Sequence, residues 1–484
     1  MRASEFNVNL ELGGSGPLYR QVAESIQAAI SDGRVRPGVS LPGIRDLAKR
    51  MGVHHNTVLA ALRELQAQGW VTPHPRSGFF IADPLPEVAR IPAPEEPPPD
   101  LLPGFEVPIN LAAITNMQNV RMDLSDGIAD ARLAPADAMV RAYHRALRLK
   151  GAEILGAGDT KGHHRLREAI CSHLATQRAL VLDPAQLMVL RSTSMAVSLV
   201  AQTLIGPHGG NVVVENPGNP MVWETLRQAS AATLHPLPVD EDGLNPADLE
   251  LLLLDTTVHL LILTPQCQFP TGSRLSAARR KRILELSHQY RFPILELDHE
   301  YDYLPGPEEP PRPLAVGNVG QVFYAGSISR LLAPGVRITY LAVPGLLADR
   351  MAKVRQRMDW QGDPLLEWAI SELFLDGEIH RQLRRVRKAA QERRDALVDA
   401  LEHTLGDCLA FQPEKGAMGL WIKGINAFAE PRRFDTWIRT CVLTGLKLRP
   451  GSYYEFQGRE LAATRLGFTA FTPEELQQAV AWMV

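Results

Sequence analysis

Cysteine is scarce in this 484-residue chain: Cys171, Cys267, Cys408 and Cys441 lie far apart and form no Cys-x-x-Cys pair. That spacing argues against a disulfide scaffold or a zinc framework and fits a reducing compartment. Long apolar runs are missing too. No uninterrupted stretch reaches the ~20 residues that a membrane helix needs, and no charged segment followed by an apolar run opens the chain. The expected location is the cytoplasm, with no membrane partner. Net charge is also small, at -3, within a globular composition of 45% hydrophobic and 22% charged residues. Overall charge therefore identifies no polyanion partner, and local charge has to be read instead.

At this length one hydrophobic core is too few, so two or three domains are expected. Residues 1–82 hold nine Lys or Arg against six acids, a local charge of +3 that leaves -6 for the rest. A small basic module on an acidic body fits that asymmetry, as does a solvated face. The segment "DPLPEVARIPAPEEPPPDLLPGFEVP", residues 83–108, is crowded with proline and opposes its acids with Arg90 alone. Extended polyproline geometry at about 3.1 Å per residue gives these 26 residues a reach on the order of 80 Å. The expected divisions are a small basic module at 1–82, a linker at 83–118, a large domain at 119–345, and connecting helices with a small α+β subdomain at 346–484.

In the first module, Leu18, Val22, Ile26 and Ile30 recur four apart on one helical face, with Gly33 as a stop. "SLPGIRDLAKRMG" reads as a second helix ending at Gly52. A third carries Val58, Ala61, Leu62 and Leu65 at i, i+3, i+4 and i+7, with His55, Asn56, Thr57 and Arg63 off the stripe. Two strands and a turn follow in "WVTPHPRSGFFI". Three helices and a hairpin describe a winged helix-turn-helix, whose last helix enters the major groove. The run from Ser40 to Ile81 resembles the GntR family of bacterial transcription regulators almost without gaps. That resemblance implies that Arg45, His55, Asn56, Thr57, and Arg76 with Gly78 at the wing meet double-stranded operator DNA. Arg and Asn make bidentate contacts to base edges, and a glycine lets the wing approach the backbone. Where the family often has Ser or Thr then Arg, this chain has His54 and His55.

Beyond residue 119, strand-length apolar runs ("MVLR", "NVVVE", "HLLILT", "FPILELD", "QVFYAG", "ITYLAV") alternate with helical segments. This indicates an α/β body with a mostly parallel sheet. The basic stripe in "HRQLRRVRKAAQERRDAL" reads as a solvated helix face. Six landmarks then fall in order: "GDTKGHHRLREAI", "VVVENPGNP", "TPQCQFPTG", "LELDHEYDY", "GSISRLLAPGVRI" and "ATRLGF". Together they resemble the fold type I, pyridoxal-phosphate-dependent aminotransferases. A GntR module joined to such a body resembles the MocR subfamily of regulators, which implies a homodimer, domain-swapped in that each DNA module packs on the partner chain.

By that resemblance Asp298 holds the pyridine nitrogen and Tyr301 the ring's phenolic oxygen. Thr193, Ser194, Ser327, Ser329 and Arg337 cradle the phosphate, and Arg465 takes a ligand carboxylate. Taken alone, Asp298 at a strand end also reads as a helix cap or an ion-pair partner, and Arg337 in an apolar run reads as a buried cation that needs an anion. Four positions depart from the family. Arg330 stands where the Schiff-base lysine belongs, Asn219 where an aromatic stacks on the ring, and Ser192 and Thr339 where glycines are usual. A guanidinium stays protonated and can neither condense stably with an aldehyde nor act as a base. The expectation is a regulator, catalytically inactive, that senses a small anionic metabolite or pyridoxal phosphate bound at most non-covalently. The alternatives are an aminotransferase-type enzyme and a ligand-free dimerisation scaffold.

Overall fold

The structure, a computed structural model, describes residues 16–75, 77–86, 120–304, 312–412 and 418–484. Arg76 and most of the 83–118 linker lie outside these described residues. The chain separates into two compact units, Met1–Thr115 and Asn116–Val484.

The first unit has helices Leu18–Ser31, Ile44–Met51 and His55–Ala67, then a hairpin that pairs Val71–His74 with Gly78–Ile81. Val22, Ile26 and Ile30 meet Leu47, Val58, Ala61, Leu62 and Leu65 in one core. Leu18, grouped with that face by its spacing, is instead exposed, because it sits at the first position of its helix where nothing described covers it. Gly52 ends the second helix in the left-handed region at φ 65°, which a side chain disfavours. The third helix starts on a histidine: His54 Nδ1 accepts the Asn56 backbone N–H at 3.3 Å. His55 and Asn56 follow it, exposed, in the first turn, with Thr57 half-buried.

The second unit is built on an eight-stranded sheet. Its order is Leu187–Leu190, Thr339–Ala342, Val322–Ser327, Ile294–Asp298, Val258–Leu263, Gly210–Asn216, Ala232–Asp240 and Gly243–Leu244. Thr339–Ala342 runs antiparallel to both neighbours and Gly243–Leu244 closes the edge as a short antiparallel partner, while the central pairs are parallel. All six apolar runs are strands. Ala232–Asp240 is a seventh that its prolines hide; Pro236 is tolerated because only Val239 and Asp240 have a partner on the outer side.

Residues alternate between the two faces of the sheet. Ile294 faces the core shared with Leu166, Ile170 and Leu174. Leu295 and Leu297 face the opposite core, with Val197, Val222 and Met351 from helices Thr193–Leu204, Pro220–Ala229 and Gly345–Met358. This phase decides the site. The C-terminal part has the long helix Glu378–Leu405, a three-stranded antiparallel sheet and helices Pro431–Leu443 and Pro473–Ala481. Ile379, Leu383, Val386 and Leu397 bury one face of the long helix. Arg384 and Lys388 stay exposed, whereas Arg393 is buried against Asp130 at 2.6 Å.

Candidate ligand site

A cavity of about 490 Å³ opens at the sheet end where the strands Ile294–Asp298 and Val322–Ser327 finish. Open α/β sheets take ligands in this position. The helix Thr193–Leu204 begins at its wall, capped by Ser192, whose hydroxyl accepts the Met195 N–H at 3.1 Å. Its first N–H groups carry the positive end of the helix dipole. Thr193, Ser194, Asn219, Ser327, Ser329, Arg330 and Arg337 all line the cavity.

Two of these residues are positioned by local structure. Arg337 has φ +53°, a left-handed conformation that costs a non-glycine residue energy and has to be imposed from outside. Ser329 imposes it: its hydroxyl accepts the Ile338 N–H at 2.7 Å and donates to the Ile338 carbonyl at 3.1 Å. Arg337 is therefore exposed rather than the buried cation that its apolar neighbours predict. Asn219 is spent on structure, since its side chain caps the helix Pro220–Ala229 by accepting the Met221 N–H at 3.0 Å.

Asp298 and Tyr301 are not in the cavity wall. Asp298 shares the phase of Ile294 and Glu296 and points to the other face of the sheet, where it is buried in an ion pair with Arg178. It also accepts the Tyr324 hydroxyl at 2.7 Å. Tyr301 donates its hydroxyl to the Gln177 carbonyl at 2.9 Å, with the Arg178 guanidinium 3.5 Å over its ring. The ion-pair reading of Asp298 is the one that the fold realises.

Arg465 is likewise committed internally. Its guanidinium is fully buried, bonds Glu300 at 2.5 Å and donates to the Pro270 carbonyl at 3.0 Å. Burial pushes Glu300 up, but Arg465 and then Arg330 outweigh it and hold the carboxyl below its usual value. A side chain of the protein thus fills the place of the ligand carboxylate expected at Arg465.

The residue that takes the cavity position is His299, in phase with Leu295 and Leu297. Both its ring nitrogens are buried without a partner among the described residues. Burial, and then Arg330, push its pKa down to about 3, so the imidazole is neutral. Strand alternation was the signal that could have found it. Arg330 donates to the Gly127 carbonyl at 3.0 Å and lies 3.7 Å from Asp126. Arg191, Lys447 and Arg449 add positive charge that sequence spacing did not bring together, and among the described residues Lys447 alone of these three has a carboxylate, Asp123 at 2.6 Å. A larger cavity of about 860 Å³ beside the C-terminal sheet, walled by Phe411 and Trp421, holds none of the sequence candidates. No group of His, Cys, Asp and Glu among the described residues is arranged to hold a metal ion. No helix among them is long and apolar enough to cross a membrane.

These residues do not fit pyridoxal phosphate in its bonded form. Arg330 supplies no amine for the aldehyde, and no carboxylate faces the cavity from the end of the strand Ile294–Asp298 to balance a protonated pyridine. The neutral, unpartnered His299 stands there instead.

Comparison with known proteins agrees on both halves of the chain. Residues 18–81 match the gntR family of bacterial regulatory proteins, and residues 121–482 match aminotransferase class I and II. The HTH-type transcriptional regulator YisV of Bacillus subtilis is 28% identical over 96% of this chain and 94% of its own length. The "Probable rhizopine catabolism regulatory protein MocR" of Rhizobium meliloti is 26% identical over 96% and 92%. The solved structure of LysN, an alpha-aminoadipate aminotransferase of Thermus thermophilus complexed with N-(5'-phosphopyridoxyl)-L-leucine, superposes with a TM-score of 0.68. It is 22% identical and covers 76% of this chain and 92% of that one, which shows the fold. Proteins with this body normally bind pyridoxal phosphate. The chain belongs to the MocR-type regulators, in which a GntR helix-turn-helix is joined to a body of the aminotransferase class I and II family.

Proposed function

We propose that this DNA-binding transcription regulator uses its aminotransferase-like body to sense a small anion without turning it over. The observation that carries the reading is Arg330, which stands in the lysine position and is held toward the cavity by Gly127 and Asp126. The body keeps a place for an anion; Arg330 offers no amine to form or pass on a covalent adduct, and the lysine in the wall, Lys447, is paired with Asp123 at 2.6 Å. Arg45, His55, Asn56, Thr57, Gly78 and, outside the described residues, Arg76 meet the operator. In the homodimer two such modules engage two half-sites. The ligand acts by binding one arrangement of the modules better than another, since only differential affinity shifts such an equilibrium.

The test is a footprint of the purified full chain on its own upstream DNA, with and without candidate anions, alongside an absorbance spectrum. The expected outcome is a ligand-dependent footprint with no borohydride-fixable cofactor band. A band that borohydride cannot fix identifies non-covalent pyridoxal phosphate as the ligand. A lysine adduct after reduction, or turnover of an amino acid and keto acid pair, refutes the reading in favour of an enzyme.

A further inference from the structure

The charges around the cavity restrict what it can hold, on the reading above that this cavity is the sensing site. Arg191, Arg337 and Arg449 line it, and none makes an ion pair among the described residues; Arg449 lies 4.7 Å over the Tyr453 ring. Two carboxylates also line it: Asp123, bound to Lys447 at 2.6 Å, and Asp126, whose nearest cations are Arg330 at 3.7 Å and Arg465 at 3.9 Å. A ligand with a protonated nitrogen would enter a wall in which five cations, Arg191, Arg330, Arg337, Lys447 and Arg449, outnumber two carboxylates, whereas a ligand with two acidic groups supplies the charge that the wall lacks.

The donors fall into two groups. One holds the start of the helix Thr193–Leu204, with the Thr193 and Ser194 hydroxyls, and Arg337, where several N–H and O–H groups suit the three oxygens of a phosphate. Arg330 belongs to the other. At 3.7 Å its contact with Asp126 is too long for a hydrogen bond, so the guanidinium keeps donors to offer. His299, uncharged beside it, adds no requirement for a cation. Arg465, the family's carboxylate arginine, is already filled by Glu300.

We propose that the cavity selects a phosphate monoester that bears a carboxylate and no protonated nitrogen, with Arg330 reading the carboxylate. The selection runs against the amino acids and amine-bearing vitamers that this fold handles in enzymes.

Calorimetric titration of the full chain tests this with 3-phosphoglycerate and O-phosphoserine, which differ by a hydroxyl against an ammonium, and with inorganic phosphate. Phosphoglycerate is expected to bind roughly tenfold or more tightly than phosphoserine, from the value of one charge-assisted contact. Arg330→Gln is expected to remove that advantage while leaving inorganic phosphate binding within about twofold, and Arg330→Lys to keep part of it. The hydroxyl and amine pair needs no variant, so a poorly folded Arg330→Gln protein leaves the comparison intact. Phosphoserine binding as tightly as phosphoglycerate, or a folded Arg330→Gln protein that keeps full discrimination, overturns the proposal. So does binding of pyridoxal phosphate with none of the three. In those cases the sensing reading stands. Failure of every phosphate-bearing probe to bind, pyridoxal phosphate included, also overturns the proposal, while the sensing reading falls separately, to a lysine adduct or to turnover.

Discussion

Replacing Asp298 with Asn separates two roles that the sequence alone left open for this residue. A cofactor-holding aspartate, once neutralised, weakens ligand binding and leaves folding nearly unchanged. The structure predicts the reverse. Asp298 and Arg178 have side chains 1% and 3% exposed, and Asp298 also accepts the Tyr324 hydroxyl. Neutralising one partner of a buried pair leaves the other charge uncompensated, at a cost of about 3–5 kcal/mol. The value should lie near 3, because the Tyr301 ring 3.5 Å from the Arg178 guanidinium still stabilises the cation. An unfolding entropy of about 2.1 cal/mol/K per residue over a body of roughly 370 residues converts 3–5 kcal/mol into a fall of roughly 4–6 °C in its midpoint. The double change Arg178→Met with Asp298→Leu should recover most of the loss, since a well-packed apolar pair often matches a buried ion pair. Calorimetric melting with ligand titration on the same samples measures both quantities. A variant that keeps its midpoint but binds ligand tenfold more weakly would refute the assignment and return Asp298 to the cavity.

Further expectations follow from other parts of the molecule. Burial, and then Asp298, raise Glu296 from 4.5 to about 7. The folded state holds that proton more tightly than the unfolded chain, so stability falls as pH rises from about 4.5 to about 7, by on the order of 3 kcal/mol. Urea titrations across that range should show a flatter profile for Glu296→Gln. In the DNA module, Arg45→Ala should weaken operator binding about equally across sequences and lower the slope of log K against log salt by about 1, read by anisotropy. Asn56→Ala should cost about 1–3 kcal/mol and relax the base preference at one position of each half-site. His54→Ala removes the side chain that accepts the Asn56 N–H, and should destabilise the module by about 0.5–1 kcal/mol in thermal melts.

The sequence by itself determined the architecture. Spacings of three and four placed Val58, Ala61, Leu62 and Leu65 in one core, and Gly52 ended a helix because its left-handed turn needs no side chain. Apolar runs such as "HLLILT" read as buried strands, and Arg330 was legible as a guanidinium where the aminotransferase resemblance expects an amine. What the sequence could not decide was where Asp298, His299, Glu300 and Arg465 point. Polar residues as close in sequence as Asp298, His299 and Glu300 admit several pairings, and the aminotransferase resemblance assigned Asp298 to the ligand while its own position left an ion pair open. The tertiary structure chose by the phase of the strand, which turns Asp298 toward Arg178 and His299 toward the cavity. Distance along the chain did the rest. Arg178 and Asp298 are 120 residues apart and Glu300 and Arg465 are 165 apart, so only the closed fold brings each acid to the arginine that neutralises it.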